Sequence, residues 1–219
     1  MASTILTVAV LAFFGYRLLA AARFAISAHG RSRVFRVVSG LRARHFWPVP
    51  IVFALVVAVA VALLQVPGLS WGWWTALGGQ GNPVTGLSDT TTGTVFEWLV
   101  PVVFITLLVP ALPLFAWREE EIFRLGAESR TRWQRVRRSV EFGLAHALIG
   151  IPIAVALALS IGGGYFTVVY LRAAVRTRST EAALLESTRA HTAYNATIVA
   201  LAYVVVLAGA LGSLGLTRA

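Results

Sequence analysis

The sequence predicts an all-α protein, a polytopic transmembrane helix bundle of about six spans that form a single membrane domain. Of the 219 residues, 58% are hydrophobic and only 13% are charged, and the mean hydropathy is +0.76. This composition is typical of membrane proteins and is too apolar for a soluble domain of this length. The apolar residues are also grouped in long runs, with most arginines in the short stretches between them.

The net charge of +10 does not indicate a nucleic-acid-binding protein. The arginines form no basic stripe with a groove-reading motif, and they lie where the topology of a membrane protein places them. The chain contains no cysteine, which excludes a disulfide framework and a thiolate metal site. We therefore expect membrane lipids as partners and no nucleic acid.

The predicted spans follow from the lengths of the apolar runs. The first span is predicted to be retained in the mature protein, because a cleaved signal peptide would normally begin with Lys or Arg. The run from Val140 to Leu171 is too long for one crossing and has arginines on both sides, so it is predicted to cross twice. The predicted break lies near Gly150-Ile151-Pro152, because proline disfavours a helix at the residue before it; Gly162-Gly163-Gly164 is the alternative. The other spans are Ala2 to Ala22, Trp47 to Val66, Val95 to Trp117 (bent by Pro101, Pro110 and Pro113) and Glu181 to about Leu216.

The arginine distribution predicts the orientation of these spans. Residues 31–44 and 118–138 are rich in arginine, and the second stretch holds seven, so both are predicted to face the cytoplasm. Residues 118–138 are also patterned as an interfacial helix with Trp133 as a possible anchor. The stretch 67–93 has neither Lys nor Arg and is predicted to face outside, as is the N-terminus. Its tryptophans suit a membrane interface: Trp71, Trp73 and Trp74.

Ionisable side chains beside apolar runs are the strongest indication of function in this chain, because such groups are expensive in a membrane and usually functional. The short patterns that combine such residues lie after residue 93, so we divide the chain into residues 1–93, with the N-terminal spans and the outer loop, and residues 94–219, which form the core that contains the site. Three short patterns recur there: Glu119-Glu120-x-x-x-Arg124, Phe142-x-x-x-His146 and His191-x-x-x-Asn195.

The spacing within each pattern places its polar groups on one helix face. Glu120 and Arg124 are four residues apart with the acid first, which is the favourable order for an ion pair. Glu119 is rotated about 100° from Glu120, so one acid is expected to face the site and the other to be held by Arg124. The loop charges place all three patterns at a similar depth on the cytoplasmic side.

Each pattern also has a purely structural interpretation. The acids suit a solvated helix end, His146 suits a hydrogen-bonded interior residue, and His191 with Asn195 suits hydrogen bonding between membrane helices. A zinc site is a weaker alternative, because His-Glu-x-x-His and any closely spaced histidine pair are absent. The predicted meeting of the three patterns at one depth favours a functional site without a metal.

The three patterns resemble, in order and in separation, those of the CPBP intramembrane proteases, also called the CAAX protease and bacteriocin-processing family. The resemblance covers about Arg118 to Asn195 and includes Gly163 to Arg172, which is similar to the helix that this family places between its last two motifs. The chain departs from the family pattern where Glu121 adds a third acid and where Glu141 precedes Phe142.

The resemblance implies a glutamate-dependent endopeptidase of the cell membrane that needs no cofactor and acts on a membrane-anchored protein or peptide. By position, Glu119 is then the general base, helped by His146, and His191 with Asn195 forms the oxyanion hole. Supporting residues are Glu120, Arg124 and Phe142. The choice between Glu119 and Glu120 as the base stays open. Two other functions compete: a non-proteolytic membrane scaffold or bacteriocin-immunity-type protein that acts through a partner, and a transporter with a proton path, which the lack of inverted repeats disfavours.

Overall fold

The computed structural model describes residues 2–73 and 93–213, and every regular element in these ranges is helical. This confirms the all-α prediction for the described part of the chain. The helices are α1 (Ala2–Ile26), α2 (Ala28–Val38), α3 (Ala43–Phe46), α4 (Val49–Leu64), α5 (Phe96–Phe123), α6 (Arg132–Ala145), α7 (Ile153–Ala158), α8 (Ser160–Thr177) and α9 (Thr180–Ser213), with short 3-10 turns at Ala127–Ser129 and His146–Ile149.

Four helical stretches in the described residues are long and apolar enough to cross a membrane, so the predicted count of about six is not confirmed. The crossing predicted after Val140 begins within α6, which has only 14 residues and carries four arginines. Helix α1 covers the predicted first span over 25 residues, but it is not among the four, and its crossing stays a prediction. The four stretches are Ala43–Leu64, Phe96–Ser129, Ile153–Thr177 and Thr180–Gly212.

Helices α5 and α9 form the centre of the bundle. They pack along each other, and α1 packs on α5 while α8 packs on α9. Helix α6 lies on α8, and α4 lies on α7. Helix α5 continues through Pro101, Pro110 and Pro113 without interruption, and the first and last of these prolines are buried. The two long central helices carry the first and third sequence patterns, so their packing decides whether those patterns meet.

The chain breaks at Gly150-Ile151-Pro152, as preferred from the sequence, whereas the three glycines of the alternative break lie within α8. Gly150 has a left-handed φ of 93°, a conformation that glycine adopts without steric penalty. Backbone hydrogen bonds tie the start of α7 to the stretch after α4, from Ile153 N–H to the Trp71 carbonyl (3.0 Å) and from Ala154 N–H to the Leu69 carbonyl (2.8 Å). The residues that follow α4 therefore fix the position of the chain break before α7.

The tryptophans predicted at the interface have different surroundings. Trp71 is half exposed, as expected for an anchor. The indole N–H of Trp73 donates to the Leu148 carbonyl at 3.2 Å, so this side chain also holds the break between helices. Trp74 lies outside the described residues. Trp133 on α6 is 83% exposed, which suits the predicted interfacial role.

Gly163 allows α6 and α8 to approach closely beside the second sequence pattern. A Cβ atom there would lie 2.9 Å from the Ser139 carbonyl oxygen and 3.0 Å from the Phe142 ring. The neighbouring Gly164 has nothing within 4 Å of the same position. The two glycines thus differ in packing although they occupy consecutive positions of one helix.

This difference predicts that Gly163→Ala destabilises the protein by about 1–3 kcal/mol, the usual range for overpacking. Gly164→Ala is the matched control and should change stability by less than about 1 kcal/mol, in the stabilising direction, because alanine is the better helix former. Unfolding of the purified protein in detergent, followed by tryptophan fluorescence, measures both. Equal stabilities of the two variants would contradict the close contact.

Candidate functional site

A buried cluster of charged and polar side chains joins the end of α5 to the first third of α9. The side chains of Glu120 and Arg124 are fully buried, and Glu120 Oε1 lies 3.4 Å from Arg124 Nη1. His191 Nδ1 lies 2.9 Å from the same carboxylate oxygen, and the Ser187 hydroxyl donates to the other oxygen. The expected pairing of Glu120 with Arg124 and the meeting of the first and third patterns are both confirmed.

Arg124 is the cation that neutralises this cluster. Its guanidinium lies 4.1 Å from the centre of the Phe142 ring, a cation–π arrangement, and Nη2 donates to the Gly163 carbonyl at 3.2 Å. The charge of Glu120 is therefore balanced within the protein, as buried carboxylates require. This balance leaves Glu120 poorly suited to act as a free base.

Glu119 differs from Glu120 in its exposure and in its partners. Its side chain is 31% exposed, and its Oε2 lies 3.5 Å from His191 Nε2. That oxygen is buried and has no hydrogen-bond partner among the described residues. Because Glu120 accepts only from a protonated Nδ1, neutral His191 presents a lone pair on Nε2 to Glu119. Glu119 Oε2 and His191 Nε2 are then two acceptors that face each other. This arrangement favours a proton shared between them or a donor group, such as water, that binds both.

Aromatic rings enclose His191 on two sides. The Phe166 ring stacks on the imidazole at 4.2 Å between centroids with an interplanar angle of 21°. The Phe142 ring meets it edge-on at 5.5 Å. These contacts fix the orientation of the imidazole, which is almost fully buried, and Glu119 is the partly exposed side chain beside it.

The structure does not bring His146 into contact with the two acids. Its Nδ1 lies 2.8 Å from the Phe142 carbonyl oxygen, and its ring lies 4.9 Å from the Phe142 ring, which separates it from His191. A carbonyl only accepts, so Nδ1 carries the hydrogen and Nε2 of neutral His146 is left as an acceptor. Asn195 is half-buried one turn after His191, and its side chain has no hydrogen bond among the described residues.

The other two acids near the patterns point away from the cluster. Glu121 accepts from the Trp117 indole at 2.8 Å and pairs with Arg118 at 3.3 Å. Glu141 pairs with Arg137 at 2.6 Å and with Arg138, and the hydrogen bond from Arg137 lowers the pKa of Glu141. Glu121 and Glu141, the two acids that depart from the family pattern, thus have partners of their own. Glu119 and Glu120 are the acids that contact His191.

No group of three or more metal-ligating side chains that could hold a metal ion is present in the described ranges. In the cluster itself, Glu120 is already paired with a guanidinium and His191 Nδ1 is occupied by Glu120. Among the described residues of the cluster, the Glu119 carboxylate and His191 Nε2 are then the only two ligands left without a hydrogen bond, fewer than the three protein ligands of a typical zinc site.

Sequence reasoning missed two residues of the cluster, Ser187 and Phe166. Ser187 lies four residues before His191, on the same face of α9, so extending the third pattern back by one turn would have found it. Its hydroxyl bonds both Glu120 and the Phe166 carbonyl, the latter at 3.1 Å. Phe166 carries no signal of its own in an apolar helix, because any aromatic residue there is compatible with core packing.

We expect Ser187→Ala to destabilise the protein by about 1–3 kcal/mol, because it removes a hydrogen bond to a buried carboxylate. The matched control is Thr197→Ala on the same helix, where the hydroxyl bonds only the Ala193 carbonyl at 2.9 Å and its loss should have little effect. The comparison uses the unfolding free energy in detergent. A Ser187→Ala variant as stable as the control would show that Glu120 is satisfied without this serine.

Comparisons with family models, with curated proteins and with solved structures found no match to this chain.

Proposed function

We propose that this protein is an intramembrane endopeptidase in which Glu119 activates the attacking water, as in the CPBP proteases whose motifs it resembles. One observation carries the proposal: a buried carboxylate oxygen of Glu119 accepts no hydrogen bond from the described residues and faces His191 Nε2 at 3.5 Å. Adjacent Glu120 is neutralised by Arg124. One acid is thus structural and the other is available for chemistry, which assigns the base to Glu119.

The proposed reaction needs one proton acceptor and one donor. Glu119 takes a proton from water, and the resulting hydroxide attacks the carbonyl carbon of the peptide bond. The tetrahedral intermediate collapses when the protonated Glu119 returns the proton to the leaving amine. A positioned general base of this kind contributes about 10²–10⁴-fold to the rate. Glu120 binds Nδ1 of His191 and thereby keeps Nε2 directed at Glu119. A proton can then be transferred between Nε2 and the Glu119 carboxylate.

His191 and Asn195 are the proposed donors to the oxyanion. His191 can donate only when Nε2 is protonated, since Nδ1 is held by Glu120. The Asn195 amide has no competing hydrogen bond in the part of the chain that the structure describes, which leaves it free to donate. A preorganised donor of this kind is worth about 10²–10³-fold in rate. The half-buried His146 completes the proposed site by orienting the water through its acceptor Nε2.

The proposed substrate is a protein or peptide anchored in the cell membrane. The cluster lies near the end of α5, between helices long and apolar enough to cross a membrane. The arginine-rich stretches at this end of the bundle favour a cytoplasmic location for the site. We propose that the bundle has about six spans. A scissile bond near that surface would reach the site from the lipid phase.

The experiment that tests this function compares the termini of membrane peptides by mass spectrometry in cells that carry wild type, Glu119→Ala or His146→Ala at equal expression. A terminus formed only with wild type supports proteolysis and also identifies the substrate. Termini that persist in both variants would contradict the mechanism.

A second candidate function is a membrane scaffold that acts through a partner protein. It is favoured by the separation of His146 from Glu119, because the predicted catalytic set is not assembled by direct contacts. The same cells distinguish it: a phenotype that persists in Glu119→Ala, together with a stoichiometric co-purifying partner, supports the scaffold. A strict requirement for Glu119 argues against it.

A further inference from the structure

A second polar site lies between α3 with the start of α4, helix α8, and the first third of α9. It is an open pocket of about 230 Å³. The side chains that matter for its chemistry are Arg44, His45, Arg172, Arg176, Glu186 and Trp47. None of them belongs to the site proposed for proteolysis.

The pocket has more positive charge than its one acid can balance. Glu186 lies 2.9 Å from Arg44, 3.2 Å from His45 and 3.8 Å from Arg176. Outside the pocket lining, Arg189 lies 3.8 Å from the other carboxylate oxygen of Glu186. With His45 neutral, the three lining guanidinium groups still exceed the single carboxylate by two charges.

Arg172 is the arginine of the pocket that Glu186 does not engage. It lines the pocket and has no acidic partner in the described ranges, although Arg44 and Arg176 both approach Glu186. Guanidinium groups converging on one cavity match the geometry of phosphate oxygens, which they bind in pairs of parallel hydrogen bonds. Phosphate is therefore the chemical group that best completes the pocket.

The position of the pocket points to a membrane surface. Trp47, at the start of the apolar helix α4, is 66% exposed, as is typical of residues at the level of lipid headgroups. The side chains of Arg44 and Arg176 are more than half exposed, at 54% and 61%, so a ligand can reach them. Basic pockets between transmembrane helices are known to bind phosphate-bearing headgroups.

We propose that this pocket binds a phosphate group, with Arg44, Arg172 and Arg176 donating to its oxygens and Glu186 holding two of these arginines in position. The aromatic pair Tyr165 and Phe166, whose rings lie 5.3 Å apart, connects the pocket to the buried cluster, because Tyr165 lines the former and Phe166 stacks on His191. The proposal does not depend on proteolysis, since no residue of the pocket takes part in that mechanism.

The test uses the full-length protein in nanodiscs of phosphatidylcholine in which the mole fraction of phosphatidylglycerol is raised stepwise. Native mass spectrometry measures the fraction of protein that retains phosphatidylglycerol. A second arm adds inorganic phosphate to nanodiscs of phosphatidylcholine alone and measures the melting temperature. The variants are Arg172→Gln and Arg172→Gln/Arg176→Gln; the first breaks no ion pair and should fold like wild type.

The control is Arg23→Gln/Arg31→Gln, which removes two charges, as the double variant does, from exposed positions on α1 and α2. At roughly fivefold per arginine near a membrane surface, half-occupancy should need about five times more phosphatidylglycerol in the single variant. The double variant should need at least about tenfold more, and the control should match wild type. Retention in the lipid arm identifies a lipid headgroup as the source of the phosphate, and stabilisation by inorganic phosphate that is lost in Arg172→Gln identifies a soluble one. Equal behaviour of Arg172→Gln and the control in both arms would overturn the proposal, whether or not proteolysis is found.

Discussion

Arg124→Met is expected to destabilise the protein by about 3–5 kcal/mol, the usual loss when one partner of a buried ion pair is removed. Both Arg124 and Glu120 are fully buried, so Glu120 would be left charged beside only His191 and Ser187. The change also removes the cation from the Phe142 ring and the donor from the Gly163 carbonyl. The contacts between α5, α6 and α8 would weaken together. The unfolding free energy in detergent measures the loss.

Two further variants separate this effect from a simple loss of charge. Glu120→Gln/Arg124→Met removes both charges and should be more stable than Arg124→Met alone, because no unpaired charge stays buried. Arg137→Met is the exposed control: Arg137 also pairs with an acid four residues away, Glu141, but its side chain is 79% exposed, and exposed pairs contribute little. If Arg124→Met were as mild as this control, the buried pair would not hold the cluster together.

Glu119→Gln is expected to reduce the rate of peptide hydrolysis by at least about 100-fold, because it removes the proposed general base and keeps the shape of the side chain. The rate is measured with purified protein and with the substrate that the comparison of membrane-peptide termini identifies. Stability should change little, since Glu119 makes no hydrogen bond through its buried oxygen. A loss of rate with unchanged folding would thus identify a chemical and not a structural role.

Glu121→Gln is the matched control for this experiment. It lies in the same run of three acids, but it contacts Trp117 and Arg118 instead of His191. Its rate should stay close to that of wild type. A larger loss in Glu121→Gln than in Glu119→Gln would place the base two residues further along α5 and overturn the assignment. Equal and small losses in both would favour the scaffold.

Local geometry explains which features the sequence alone could predict. The pairing of Glu120 with Arg124 follows from a spacing of four residues within one helix, and the break at Gly150-Ile151-Pro152 follows from the conformations that glycine and proline allow. Apolar run lengths likewise predicted helices that can cross a membrane. In each case, the residues that decide the feature are neighbours in the chain.

Loop charge also indicated that the first and third patterns would lie at the same end of the bundle, and the contact between Glu120 and His191 agrees with it, across 71 positions of sequence. The crossing predicted after Val140 shows the limit of this reasoning. The apolar run there is long enough, but the helix that enters it, α6, begins at Arg132 among arginines and ends after 14 residues.

Tertiary packing alone decided how deeply each acid is buried and what surrounds His191. Glu119 and Glu120 are neighbours in one helix, and the rotation of α5 against α9 buries Glu120 and leaves Glu119 partly exposed. The stacking of Phe166 and the position of Phe142 between the two histidines depend on the close approach of α6 to α8 at Gly163. Such contacts depend on the positions of several helices at once, and no local spacing encodes them.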